Sequence, residues 1–194
     1  MSSGFMEGCP EGVFRGVNET DDITDLLGRV QAVVLGPGIG QDAWAQNLFR
    51  QVIAAGKPLV LDADGLNLLA QAPAALVDCI ITPHPLEAAR LLRRDQVDPD
   101  RLTVACQLQS EYGAVVVLKG AATLVASDTG IAINIMGGPA MATAGMGDVL
   151  SGLLGALLAQ GQPLSRAAEL GVAHHGRAAQ MATAQQGEVG LLAR

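Results

Sequence analysis

A chain of 194 residues is sized for one domain, and at 49% hydrophobic residues it carries enough apolar side chain for a substantial core. Only 3% of the residues are aromatic, so Ala, Val, Leu and Ile must build that core. The formal net charge of −7 argues against nucleic acid or an anionic membrane as main partner, and leaves room for a nucleotide held locally by backbone amides and a lysine.

Met1 to Asn18 shows no periodicity and reads as loop, and Glu19 to Leu27 as a short helix. Gln31 to Gly40, QAVVLGPGIG, is an apolar strand running into a glycine turn. Gln41 to Ala55 places Trp44, Leu48, Phe49, Val52 and Ile53 at helical spacing. Leu59 to Leu61 and Cys79 to Thr82 predict two further buried strands, with a helix from about Pro85. Arg101 to Gly113 predicts a helix with Leu102, Ala105, Leu108 and Tyr112 on one side. AVVVLKG is a fourth strand, ATLVAS and IAINI a hairpin, and two helices start near Met146 and Ser165. The apolar run Val149 to Ala159 falls short of the ~20 residues a membrane span needs and predicts a helix buried within the subunit. Continuous Val/Ile/Leu strands alternating with helices predict an α/β fold, a mostly parallel sheet covered on both faces. Such sheets bind ligands beyond the carboxyl ends of their strands. The four tails GPGIG, DADGLN, TPHPLE and LKGAAT would all line that edge.

Each tail carries a residue with two readings. Gly36, Gly38 and Gly40 allow either close ligand approach or a tight strand–helix turn. Asp62 and Asp64 share one side if the strand continues, where with Asn67 they suit Mg²⁺ or a hydroxylated substrate; alternatively Asp64 caps a helix. His84, stiffened by Pro83 and Pro85, is a held polar group or a helix start with Glu87 in its first turn. Lys119, beside Gly120 and close to the hydroxyl of Thr123, suits a phosphate or is a solvated surface lysine.

The strongest signal is Ala144-Gly145-Met146-Gly147-Asp148 at the mouth of an apolar helix. Free amides at a helix N-terminus attract anions, and Gly145 and Gly147 clear the way for a phosphate. Asp148 in the first turn would repel that phosphate unless it takes a proton from a hydroxyl attacking it. The apolar run behind gives the carboxylate a rigid mount.

The segments VVLGPGIGQD, LVLDADGLNLL, TPHPLEAARLL, VVVLKGAATLV and GGPAMATAGMGDVLSGLLGALLAQG, in that order from Val33 to Gly161, resemble the ADP- or ATP-dependent NAD(P)H-hydrate dehydratase family of the ribokinase-like superfamily. GVAHHGRAAQMA and GEVGLLA extend the likeness almost to the end. The resemblance implies a ribokinase-like fold as a single domain over 1–194, without the N-terminal strand–helix segment usual in relatives. It implies phosphorylation of the hydroxyl of a hydrated nicotinamide cofactor, followed by loss of phosphate and return of the double bond. Asp148 would be the catalytic base and also touch substrate. Gly145 and Gly147 would bind the nucleotide phosphates, and Lys119, Gly120, Ala121, Ala122 and Thr123 the AMP part. Gly36, Gly38, Gly40, Asp64 and His84 would contact the hydrated cofactor. The Thr-Pro-His-Pro spelling favours ADP over ATP, with Mg²⁺ accompanying the nucleotide and no protein metal site assigned. Met146 stands where the family often has Thr.

Rival readings are a small-molecule kinase of the same superfamily, acting on a thiazole, pyrimidine or sugar alcohol, and a non-catalytic nucleotide-binding module. Cys9, Cys79 and Cys106 lack metal-type spacing and read as reduced thiols, and Met1 to Pro10 lacks the basic and apolar stretches of a secretory leader. The expectation is a cytoplasmic protein with no membrane or nucleic-acid partner. A sheet lacking its usual first strand predicts a homo-oligomer with contacts around Gly12 to Leu35.

Overall fold

A computed structural model describes residues 12–193. Most of the loop read over Met1 to Asn18, and Cys9 with it, lies outside the described residues. The elements run α1 (Thr24–Arg29), β1 (Val33–Leu35), α2 (Ala43–Ala54), β2 (Leu59–Leu61), α3 (Asp64–Gln71), β3 (Cys79–Ile81), α4 (Pro85–Leu91), α5 (Arg101–Tyr112), β4 (Val115–Leu118), β5 (Thr123–Ser127), β6 (Gly130–Asn134), α6 (Met146–Ala159) and α7 (Leu164–Gln186). The six strands pair in chain order, β1 to β4 parallel and β4-β5-β6 antiparallel.

Alternation along the strands builds two cores. Leu59, Leu61, Cys79, Ile81, Val116 and Leu118 pack with residues of α1 to α5. Their neighbours Val60, Ile80, Val115 and Val117 face the other way, onto α6 and α7. Parallel crossovers of one hand that step in one direction put their helices on one face. The opposite face is therefore left to the helices that follow the hairpin. Local chemistry fixes the helix ends: Asp42 caps α2 by accepting from Ala45 N (2.9 Å), Asp100 caps α5 by accepting from Thr103 N (3.1 Å), and Gly113 closes α5 at φ +69°.

Two expectations need correction. In α5 the buried stripe is Val104, Ala105, Leu108 and Tyr112, and Leu102 faces solvent, because the sheet lies under the 104–108 side. The α6 helix is not enclosed. Met146, Leu150, Ser151, Leu154, Gly155 and Leu158 are buried, whereas Val149 is 45% exposed and Gly152 and Ala156 are open. The helix lies over β1 and β2 close enough that a Cβ on Gly155 would sit 2.4 Å from Val34 Cγ2, and nothing described covers its outward face. No described helix is long and apolar enough to cross a membrane.

Candidate active site

The parallel strands end together, and their tails stay hydrogen-bonded past the last ladder residue. Asp62 N donates to Leu35 O (3.1 Å), Thr82 N to Leu61 O (3.1 Å) and Lys119 N to Pro83 O (2.9 Å). The first two tails meet backbone to backbone: a Cβ on Gly36, at φ +139°, would fall 1.7 Å from Asp62 O, so only glycine fits there.

At the centre lies Asp62, with 1% of its surface exposed. Its Oδ1 accepts from Lys119 Nζ (2.7 Å) and Ala63 N (2.9 Å), and its Oδ2 from Ser151 Oγ (2.7 Å). Ser151 Oγ also lies 3.0 Å from Gly147 O, one turn back in α6. Burial pushes the Asp62 carboxyl up, but the Lys119 ammonium and the hydrogen bonds from Lys119 and Ser151 outweigh it and hold the group below the ordinary aspartate value. Lys119 Nζ also lies 3.9 Å from Glu87 Oε2. Thus β2, β4, α4 and α6 are tied through one buried ionic cluster.

Above this cluster begins α6. Its N-cap is Gly145, at φ +86° and with no side chain to cap the helix, and the amides of Gly147 and Asp148 make no hydrogen bond among the described residues. A Cβ on Gly147 would stand 3.5 Å from both Asp62 Oδ2 and Lys119 Nζ. The glycine therefore keeps open the approach between the helix start and the buried pair. Asp148 is exposed, and its carboxylate makes no hydrogen bond among the described residues. Met146 instead turns inward, buried with Ala179 and Leu191.

The remaining sequence candidates fall around this centre. Asp64 does not share a side with Asp62, because β2 ends at Leu61 and Ala63 turns the chain with φ +47°. Its carboxylate accepts from Gly40 N (3.0 Å), Gln41 Nε2 (3.3 Å) and Asn67 Nδ2 (3.3 Å), pinning the GPGIG turn, whose Gly38 and Gly40 are at φ +70° and +72°. His84 caps α4: its Nδ1 accepts from Leu86 N (3.1 Å) and Glu87 N (3.3 Å), and Glu87 Oε2 accepts from His84 N (2.8 Å). The cap makes Nδ1 the acceptor and puts the proton on Nε2, in a ring that stays partly exposed. Gly120, Ala121 and Ala122 form an exposed loop, with Thr123 Oγ1 donating to Gly120 O (3.2 Å). Sequence reasoning missed three members. Ser151 is a lone hydroxyl inside an apolar run, Glu87 was read only as a helix-start acid, and Arg101 reaches this loop from α5.

A sequence profile described as NAD(P)H-hydrate dehydratase matches residues 6–194. The chain belongs to the NAD(P)H-hydrate dehydratase family. It is 51% identical over 186 residues to a bifunctional NAD(P)H-hydrate repair enzyme of Vibrio cholerae, covering 95% of this chain and 38% of that protein. It is 42% identical over 187 residues to an ADP-dependent (S)-NAD(P)H-hydrate dehydratase of Neisseria meningitidis, covering 89% of this chain and 63% of that one. The chain thus spans less than two thirds of the length of these relatives. Among solved structures, the ADP/ATP-dependent NAD(P)H-hydrate dehydratase of Bacillus subtilis, co-crystallised with ATP and Mg²⁺, superposes with a TM-score of 0.80 at 26% identity, covering 97% of this chain and 69% of that one. A ribokinase-like superfamily protein of Enterococcus faecalis gives 0.80 at 29% identity, over 88% of this chain and 62% of its own. The family's fold is the ribokinase-like α/β fold expected from the sequence.

Proposed function

We propose that this chain uses ADP to dehydrate the hydrated forms of NADH and NADPH, a repair of the nicotinamide cofactor. The observation that carries the reading is Asp148: a free, exposed carboxylate in the first turn of an uncapped helix, beside a glycine that opens onto Lys119 and Asp62. The free amides of Gly147 and Asp148 suit the phosphates of the nucleotide. Asp148 takes the proton of the substrate hydroxyl as its oxygen attacks the terminal phosphorus and AMP leaves. The ring nitrogen then pushes out inorganic phosphate, the neighbouring ring carbon loses a proton, and the double bond returns. Lys119 to Thr123 hold the AMP part, and the GPGIG turn, Asp64 and His84 the hydrate. A Mg²⁺ carried by the nucleotide phosphates would keep most of its waters and offset phosphate charge at this turn, leaving the Asp148 carboxylate free to act as the base.

Product analysis with the hydrate and ADP tests the reading. Return of dihydronicotinamide absorbance with release of AMP and phosphate is the expected result. A phosphorylated product that persists marks a small-molecule kinase instead, and binding without turnover marks a non-catalytic module. We further read the chain as a cytoplasmic homo-oligomer. The outer edge of β1, unpaired among the described residues, with exposed Val30 and Val34, supports contacts near Gly12 to Leu35, and the open apolar side of α6 extends that surface. Light scattering at micromolar concentration should give a multiple of 19.9 kDa, and a clean monomer overturns the assembly.

A further inference from the structure

We propose that Arg101 is a positioning residue that turns the Gly120–Thr123 loop into a donor-lined cradle for the nucleotide; this rests on the nucleotide-dependent reading above. Its guanidinium donates to four carbonyls of that segment. Nη1 reaches Ala121 O and Ala122 O (3.2 Å to the latter), and Nη2 reaches Leu118 O (3.1 Å) and Lys119 O (3.4 Å). The fifth carbonyl, Gly120 O, accepts from Thr123 Oγ1 at 3.2 Å. Every carbonyl from Leu118 to Ala122 is thus turned onto a donor within the protein. The amides of Gly120, Ala121 and Ala122 make no hydrogen bond among the described residues and sit in exposed positions. A run of outward amides backed by a cation favours anionic or acceptor-rich ligands.

Three further observations separate this role from ordinary helix packing. Arg101 is the first residue of α5, where a cation opposes the helix dipole, so the helix itself gains nothing from it. It pairs with no carboxylate among the described residues. The loop also needs an outside hold: Gly120 lies at φ +141° and Ala122, a non-glycine residue, at φ +53°. A Cβ on Gly120 would stand 3.1 Å from Arg101 Nη2, so the guanidinium lies directly against the glycine. Only a planar fork with several donors reaches all four carbonyls at once. A lysine keeps the charge and loses the fork.

The test compares wild type, Arg101→Lys and Arg101→Ala in amide NMR, ADP calorimetry and steady-state kinetics. Arg101→Lys is expected to shift the amide signals of Leu118 to Thr123 while leaving those of Gly36 to Gly40 in place. Its ADP affinity and KM for ADP should weaken by about tenfold or more. KM for the hydrate and kcat at saturating ADP should stay within about twofold, since only uniform nucleotide binding is lost. Added guanidinium should restore part of the ADP affinity of Arg101→Ala. A folded Arg101→Lys with wild-type ADP affinity overturns the proposal, as does a fall in kcat at unchanged affinity. A wild-type chain with no affinity for ADP defeats the nucleotide reading and this ligand with it, while the amide signals still decide whether the guanidinium holds the loop.

Discussion

Asp62 and Asp148 stand on either side of Gly147 under opposite conditions. Asp62 forms the floor: buried, with both oxygens engaged, and charged because the Lys119 ammonium and the hydrogen bonds from Lys119 and Ser151 offset its burial. Asp148 forms the rim: exposed, and without a hydrogen bond among the described residues. A carboxylate that already accepts three hydrogen bonds and pairs with an ammonium is held as a base of low strength and organises the site; one without partners keeps its basicity. The floor is thus built as a stability element, and the proposed role of the rim is a chemical one that costs the fold little.

The widest separation should come from the floor. Asp62→Ala leaves the Lys119 ammonium with Glu87 at 3.9 Å as its remaining partner. Breaking one side of such a pair costs about 3 kcal/mol or more, read as a lower urea midpoint. An unchanged midpoint would mean that the floor is not structural. The same contrast has a pH signature. Because the folded-state carboxyl lies below the ordinary aspartate value, its stabilisation is complete above about pH 4 and is lost as pH falls through the folded value. Acid unfolding of Asp62→Asn should lack that step.

The rim should answer in rate instead. Asp148→Asn should lower turnover by roughly 10²-fold, about 2.7 kcal/mol in the barrier, with stability changed by no more than about 0.5 kcal/mol. Near-normal turnover would remove Asp148 from the chemistry. Its ADP affinity should hold or rise, since a charge facing phosphate is gone. The smallest expected effect belongs to the glycine between them. Gly147→Val meets Asp62 and Lys119 at ordinary contact distance, 3.5 Å for its Cβ, so the fold should persist. The filled gap should weaken ADP binding by about tenfold in calorimetry, or about 1.4 kcal/mol. Full ADP affinity in this variant would place the phosphates elsewhere.

The strands and helices were legible because their signals are local. Leu59–Leu61 and Val115–Leu118 are unbroken apolar runs, and Asp42, His84 and Asp100 cap the helices that follow them. The convergence of the four tails followed from parallel order alone. The pairings were not legible. Nothing in the sequence pairs Lys119 with a carboxylate 57 positions away, or Ser151 with the same carboxylate across 89. No periodicity encodes such contacts, and a serine in GDVLSGLL looks like a tolerated polar residue in a greasy helix. The reading of α6 as fully enclosed failed because hydrophobicity all round a helix says nothing of how many neighbours the chain provides.

The two-core arrangement also orders events in time. Among the described residues, the face of the sheet formed by Val60, Ile80, Val115 and Val117 is covered by α6 and α7, which emerge from the ribosome after β6. At about 5–20 residues per second, the roughly forty residues of α6 and α7 take several seconds to appear. If β1 to β6 pair before those helices emerge, the nascent chain would present a bare aliphatic sheet during that interval, with Asp62 still waiting for the hydroxyl of Ser151. A chaperone that shields aliphatic surface would find its binding site on this protein there, and would be displaced by the same helix that delivers Asp148.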